Sequence, residues 1–116
     1  MKKEVRVLLL NETDIGVVVD VMLEMEKLGA PTIRANFDGE TIYALEGSHR
    51  IVAAHNLGLT PNFVFVDFDA VIADHDIDCG GLTPGVAATV EQIFEATYWV
   101  PSYNGRPEYW FELDMD

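Results

Sequence analysis

The chain is poor in cysteine and in positive charge. Of its 116 residues a single one, Cys79, is cysteine, so no internal disulfide forms, and a lone thiol fits a reducing compartment. No cation stands next to Cys79 in sequence to lower its pKa, which makes it a small apolar filler or loop thiol rather than a nucleophile. Lys and Arg number 7 against 20 Asp and Glu, a formal net charge of −13. No window clusters the basic residues that contact with a phosphate backbone demands, which argues against nucleic acid as a partner. A nuclease on this chain would need a basic groove or several metals to mask the acidic field. The acidity itself fits a saline environment, a basic partner protein or plain solubility. A long hydrophobic run is also missing. Val5 to Leu10 follows Lys2-Lys3 like the start of a signal peptide, but Glu4 and Arg6 interrupt it and Asn11-Glu12 ends it, so the expectation is a cytoplasmic protein with no membrane attachment. Nothing in the chain repeats.

What is present is apolar residue in quantity. With 49% hydrophobic content in 116 residues, the chain is expected to form one globular domain with its own core. Glu4 to Leu10 alternates like a strand. Ile15, Val18, Val19, Met22 and Met25 keep helical spacing behind a cap at Thr13 or Asn11, with Asp14 in the first turn, and Gly29 and Pro31 stop that helix. Thr32 to Asn36 and Thr41 to Leu45 flank Asp38-Gly39, a hairpin signal because those residue types tolerate the positive φ of tight turns. Phe63 to Val71 reads as a buried strand with aspartates at its far end. Thr83-Pro84 looks like a helix start, with Val86, Val90, Ile93 and Phe94 as the apolar face and an end near Ala96. Tyr98 to Val100 and Glu108 to Leu113 read as a terminal hairpin around a loop carrying Asn104-Gly105. The expectation is an α+β fold with a mixed sheet and three helices in one small domain.

Residues 45 to 58 carry the most chemistry. Leu45-Glu46-Gly47-Ser48-His49-Arg50 reads as a strand end, a glycine turn and the first turn of a helix that closes at Leu57-Gly58. The opening N–H groups of a helix lack intrahelical partners and the macrodipole adds partial positive charge there, so anions belong at this end. His49 and Arg50 break that rule at a cost of about 0.3–1 kcal/mol unless an anion joins them. A bound phosphate would do so, cradled by backbone N–H groups from Gly47 to Arg50 with Arg50 as a charged fork and His49 as a second donor. The alternative is that Glu46 or another carboxylate neutralises Arg50, and that Ser48 merely caps the helix.

Gly47-Ser48-His49-Arg50, preceded by Leu45-Glu46 and followed by Ala53-Ala54 and Leu57-Gly58, resembles the signature of the ParB/sulfiredoxin superfamily. The lead-in Leu28-Gly29-Ala30-Pro31-Thr32-Ile33 and the turn Phe37-Asp38-Gly39-Glu40-Thr41 are similar as well. The resemblance covers about residues 5 to 69 and leaves a divergent C-terminal helix and hairpin at about 83 to 113. It implies a nucleotide, ATP or CTP, held by its phosphates at Gly47, Ser48, His49 and Arg50, with magnesium as a companion ion. It further implies Glu46 as a base or magnesium ligand, at a position where related proteins often have aspartate, and Arg34 pointing toward the same pocket. Ser48 stands where sulfiredoxins place their catalytic cysteine, and a hydroxyl is far less nucleophilic than a thiolate, which argues against sulfinic-acid reduction. With 116 residues, a helix-turn-helix like that of a partitioning protein is not expected after the motif domain, and neither is centromere binding. Two classes stay open: an ATP-dependent phosphotransferase or nucleotide hydrolase, and a non-catalytic regulatory or protein-interaction module, for which a basic protein is the expected partner.

Other candidates have plainer readings. Asp74-His75-Asp76-Ile77-Asp78-Cys79 lacks any recognised metal-ligand spacing and reads as a solvated loop. His55, almost two turns beyond His49, reads as a packing or surface residue. Tyr98, Trp99, Tyr103, Tyr109, Trp110 and Phe111 could stack on a base, but alternation along 109 to 111 favours core and cross-strand packing. Arg106, at the loop tip, would act as a lid cation if that loop folds over the motif.

Overall fold

Val5 and Val7 point inward between exposed Glu4 and half-buried Arg6, and this alternation makes the N-terminal segment a strand, with Leu8 buried on its other face. The computed structural model describes residues 2–9, 13–75, 81–96 and 108–114. Its elements are β1 (Lys2–Leu8), α1 (Ile15–Leu28), β2 (Thr32–Phe37), β3 (Thr41–Ala44), α2 (Ser48–Leu57), β4 (Asn62–Phe65), β5 (Val71–Ile72), β6 (Ala88–Thr89), α3 (Val90–Ala96) and β7 (Glu108–Asp114). Among the described residues three helices and a mixed sheet define an α+β fold, as expected. No helix among the described residues is long and apolar enough to cross a membrane.

The sheet has the order β4-β2-β3-β1-β7. β1 runs parallel to β3 and antiparallel to β7, while β2 is antiparallel to β3 and parallel to β4. The β2–β3 hairpin forms where Asp38-Gly39 predicts it. Asp38 Oδ1 accepts from the N–H of Glu40 (2.9 Å) and of Thr41 (2.7 Å), and Gly39 takes φ 101°. The sheet curls until Phe63 of one edge strand meets Phe111 of the other, ring centroids 6.3 Å apart.

Each face of the sheet has its own core. Helices α1 and α2 cover one face, where Val18 and Met25 of α1 and Ile51, Val52, Ala53 and Ala54 of α2 pack on Val5, Val7, Ile33, Ile42 and Phe111. On the other face Leu8, Leu45 and half-buried Tyr43 pack with Ile72, Ala88, Val90 and Ile93 from β5, β6 and α3. Truncating a fully buried isoleucine such as Ile42 to alanine in a core of this kind costs about 2–5 kcal/mol.

Several expectations need correction. The buried stripe of α1 is Val18, Val21, Met22 and Met25, whereas Ile15 and Val19 are 83% and 50% exposed. Its cap is Asp14 itself, outside the first turn, accepting from the N–H of Gly16 (2.8 Å) and Val17 (3.2 Å). The run from Phe63 to Val71 is not one buried strand. It divides into the edge strand β4, where Val64 and Phe65 are about half exposed, a turn at Asp67–Ala70, and β5 in a separate two-stranded sheet. Helix α3 starts at Val90 rather than at Pro84. Thr83-Pro84 opens only a turn, closed by Val86 N–H to Thr83 O at 3.1 Å, and the helix begins behind a capping box in which Thr89 and Gln92 bond each other's backbone N–H.

The C-terminal strand pairs with β1 along its whole length, from Lys2 opposite Asp114 to Leu8 opposite Glu108. Phe111 is buried and Tyr109 packs on the core, so the core reading holds for these two, while Trp110 faces the other way, 49% exposed, and is not part of the core. His55 packs its ring against Tyr109 and Phe111 at 4.9 and 5.6 Å. The expected strand at Tyr98–Val100, Tyr103, Arg106 in its loop, and Cys79 lie outside the described residues.

Candidate functional site

Strands β1 and β3 are parallel, so the loops that follow them emerge at the same end of the sheet and lead into α1 and α2. A cleft of about 440 Å³ opens between α1 and the turn from β3 into α2. Arg34, Glu46, Gly47, Ser48, His49 and Arg50, every candidate site residue read from the sequence, line it. Val17 and Val21 of α1 and Leu45 add an apolar wall, and Asp74 and His75 arrive from the opposite layer.

Gly47 is the pivot. It is the N-cap of α2 in the left-handed conformation, φ 67° and ψ 37°, and its helix has no side-chain cap. A Cβ at this position would stand 2.6 Å from Ile33 Cδ1 and 2.9 Å from an Arg50 guanidinium nitrogen, so glycine is required both by backbone conformation and by space. Ser48 is therefore the first helical residue, not the cap, and it is buried. The first intrahelical bond runs from Ile51 N–H to Gly47 O (2.9 Å), and the helix ends at Gly58, φ 72°, with Leu59 N–H returning to Ala54 O. Both helix ends are where the glycines predict them.

Arg34 and Glu46 form the rigid part of the cleft. Arg34 Nε donates to Glu46 Oε2 at 2.8 Å, Nη2 to Oε1 at 3.0 Å, and the Arg34 backbone N–H also donates to Oε2 at 2.9 Å. A planar fork on a carboxylate is the strong geometry for this pair. Arg34 holds the Glu46 carboxyl below its ordinary range, and Glu46 in turn raises Arg34. Arg34 Nη2 also reaches Asp74 Oδ1 at 2.9 Å and pulls Asp74 down in the same way. The alternative reading of Arg50 is partly realised. Its Nη2 stands 3.6 Å from Glu46 Oε1 and its Nη1 donates to the Thr32 carbonyl at 3.2 Å, but the side chain keeps 40% exposure. With five N–H donors, a guanidinium so placed has hydrogen-bonding capacity left for the cleft.

His49 has a structural partner. Its Nε2 accepts the N–H of Asp14 at 3.0 Å, so in this arrangement any proton on the neutral ring sits on Nδ1. The imidazole thereby ties the first turn of α2 to the cap of α1. A donor role toward a ligand, expected from the sequence, falls to Nδ1.

Asp74 and His75 were hidden in a segment that reads as a solvated loop. Asp74 is exposed as expected, yet it is bound to Arg34 from 40 residues away. His75 is buried, 4% exposed, with Nε2 2.6 Å from the Val86 carbonyl, to which it donates. No local pattern marks either contact, since both partners are distant in sequence. Among the described residues no group of His, Cys, Asp and Glu side chains is arranged to hold a metal ion.

The fold and the cleft define an α+β domain whose second helix starts, uncapped by any side chain, in a pocket with two arginines. The chain matches no family model, no curated protein and no solved structure.

Proposed function

We propose that the protein binds a nucleotide, ATP or CTP, through its phosphates at the start of α2, in the manner that the resemblance to the ParB/sulfiredoxin superfamily implies. One observation carries the reading: the side-chain-free N-cap Gly47 and the half-exposed Arg50 face one cleft of about 440 Å³. Backbone N–H groups at a helix start and a guanidinium lining the same cleft are the donors an anion site uses, and the volume falls in the range of small-molecule pockets. The apolar wall of Val17, Val21 and Leu45 would receive the less polar part of the ligand.

Binding is the core of the proposal and turnover is its narrower form. Glu46 is the base or magnesium ligand in an ATP-dependent phosphotransferase or hydrolase. Its oxygens already receive three hydrogen bonds from Arg34, and its lowered pKa weakens it as a base. A second reading, a non-catalytic module that docks a basic protein, is favoured by the net charge of −13. A thermal-shift series with ATP, ADP, CTP and GTP, with and without magnesium, separates them. A nucleotide-specific rise in midpoint that Arg50→Ala abolishes supports the phosphate site, because a ligand binding only the folded state must stabilise it. A rise with no nucleotide would contradict it and leave the protein-binding module.

A further inference from the structure

Arg34 is held by two carboxylates of different character. Glu46 grips Nε and Nη2 side-on and also takes the Arg34 backbone N–H, so it fixes where the guanidinium points. Asp74 takes only Nη2, at 2.9 Å, and its side chain is 71% exposed against 27% for Glu46. Its backbone is anchored just behind. The His75 ring donates to Val86 O at 2.6 Å, and the His75 carbonyl accepts from the Gly85 N–H at 3.2 Å. Asp74 is thus a tethered carboxylate with a solvated head, laid on a guanidinium that remains oriented when the head leaves.

The geometry points to Asp74 as a specificity-determining residue: an internal anion occupying the Arg34 arm of the cleft, to be displaced by a ligand's phosphate oxygen. This rests on the reading of the cleft as a phosphate site and deepens it. A tethered group competes at an effective concentration in the millimolar range, so a free carboxylate of equal charge gains nothing by exchanging with Asp74. A phosphate dianion carries more charge and three acceptor oxygens, and can engage Arg34 and Arg50 together. The cleft should accordingly accept phosphate monoesters and terminal phosphates while rejecting carboxylic acids.

Calorimetric titration of the whole chain with inorganic phosphate, adenosine monophosphate and acetate at constant salt tests this. The proteins are wild type, Asp74→Asn, Asp74→Ala and, as a control for net charge alone, Asp69→Asn, whose exposed carboxylate lies outside the cleft. Both Asp74 variants are expected to bind the two phosphates about three- to tenfold more tightly than wild type and to gain measurable acetate binding, with Asp69→Asn unchanged. Phosphate binding by wild type that is no tighter in the Asp74 variants than in Asp69→Asn overturns the role of Asp74 and leaves the phosphate site standing. Binding of phosphate by none of the four proteins overturns both.

Discussion

The three helices among the described residues begin in two different ways. Helix α1 opens behind Asp14, whose carboxylate takes two backbone N–H groups, and α3 behind the reciprocal Thr89–Gln92 box. Both starts are closed by their own side chains. Helix α2 opens behind a left-handed glycine that has no side chain to offer, and its first turn carries His49 and Arg50 where α1 has its capping acid next door. The difference is one of destination. The α1 and α3 starts are finished locally, and α2 even lends α1 an acceptor through His49. The α2 start faces a cleft that Arg50 and Arg34 also line. A helix end that serves only the fold is cheaply capped by Ser, Thr, Asp or Asn, so a glycine forced by close packing in that place marks backbone left available for something else.

The contrast breaks most severely at Gly47. Gly47→Ala puts a Cβ within 2.6 Å of the Ile33 side chain in a left-handed conformation, and is expected to destabilise the protein by about 2–4 kcal/mol in denaturant titration. The Arg34 clamp comes next. Arg34→Gln leaves half-buried Glu46 with only the longer 3.6 Å contact to Arg50 and is expected to cost about 1–3 kcal/mol. Acid sharpens the same point. Glu46 and Asp74 are both lowered in the folded state by Arg34, so the stability they contribute is complete above the unfolded carboxylate pKa of about 4 and is lost as pH falls through their lower folded values. Unfolding free energy should therefore drop on acidification below about pH 4, and less steeply in Arg34→Gln. Smallest are the caps. Asp14→Ala and Thr89→Ala are each expected to cost about 1 kcal/mol, without effect on ligand binding at the α2 start.

Much of this was legible because it is local. Asp38-Gly39 predicts its hairpin and Gly58 its helix end, since each depends on backbone conformations that few residues adopt. The motif stretch predicts its strand, turn and helix for the same reason, and brings Glu46 to Arg50 into one cleft with Arg34. What was not legible is tertiary. The run from Phe63 to Val71 has the composition of a buried strand, but its placement at a sheet edge and its division between two sheets depend on partners elsewhere. The start of α3 was obscured by a rival signal, Thr83-Pro84, although Thr89 and Gln92 carry the spacing of a capping box. Asp74 gave no sign of its bond to Arg34, nor His49 of its bond to the Asp14 backbone N–H, because contacts across 40 and 35 residues leave no periodicity.

The central claim is that the α2 start is a ligand-binding end and the other two are not, and amide chemical shifts read this residue by residue. A titration with magnesium ATP and with inorganic phosphate, followed by ¹H–¹⁵N correlation spectra, should move the amides of Gly47, Ser48, His49 and Arg50 in a saturable way. Those of Gly16, Val17 and Gln92, already bonded to their own caps, should stay in place. Equal and non-saturating shifts at all three helix starts, or none at Gly47 to Arg50, would contradict the account.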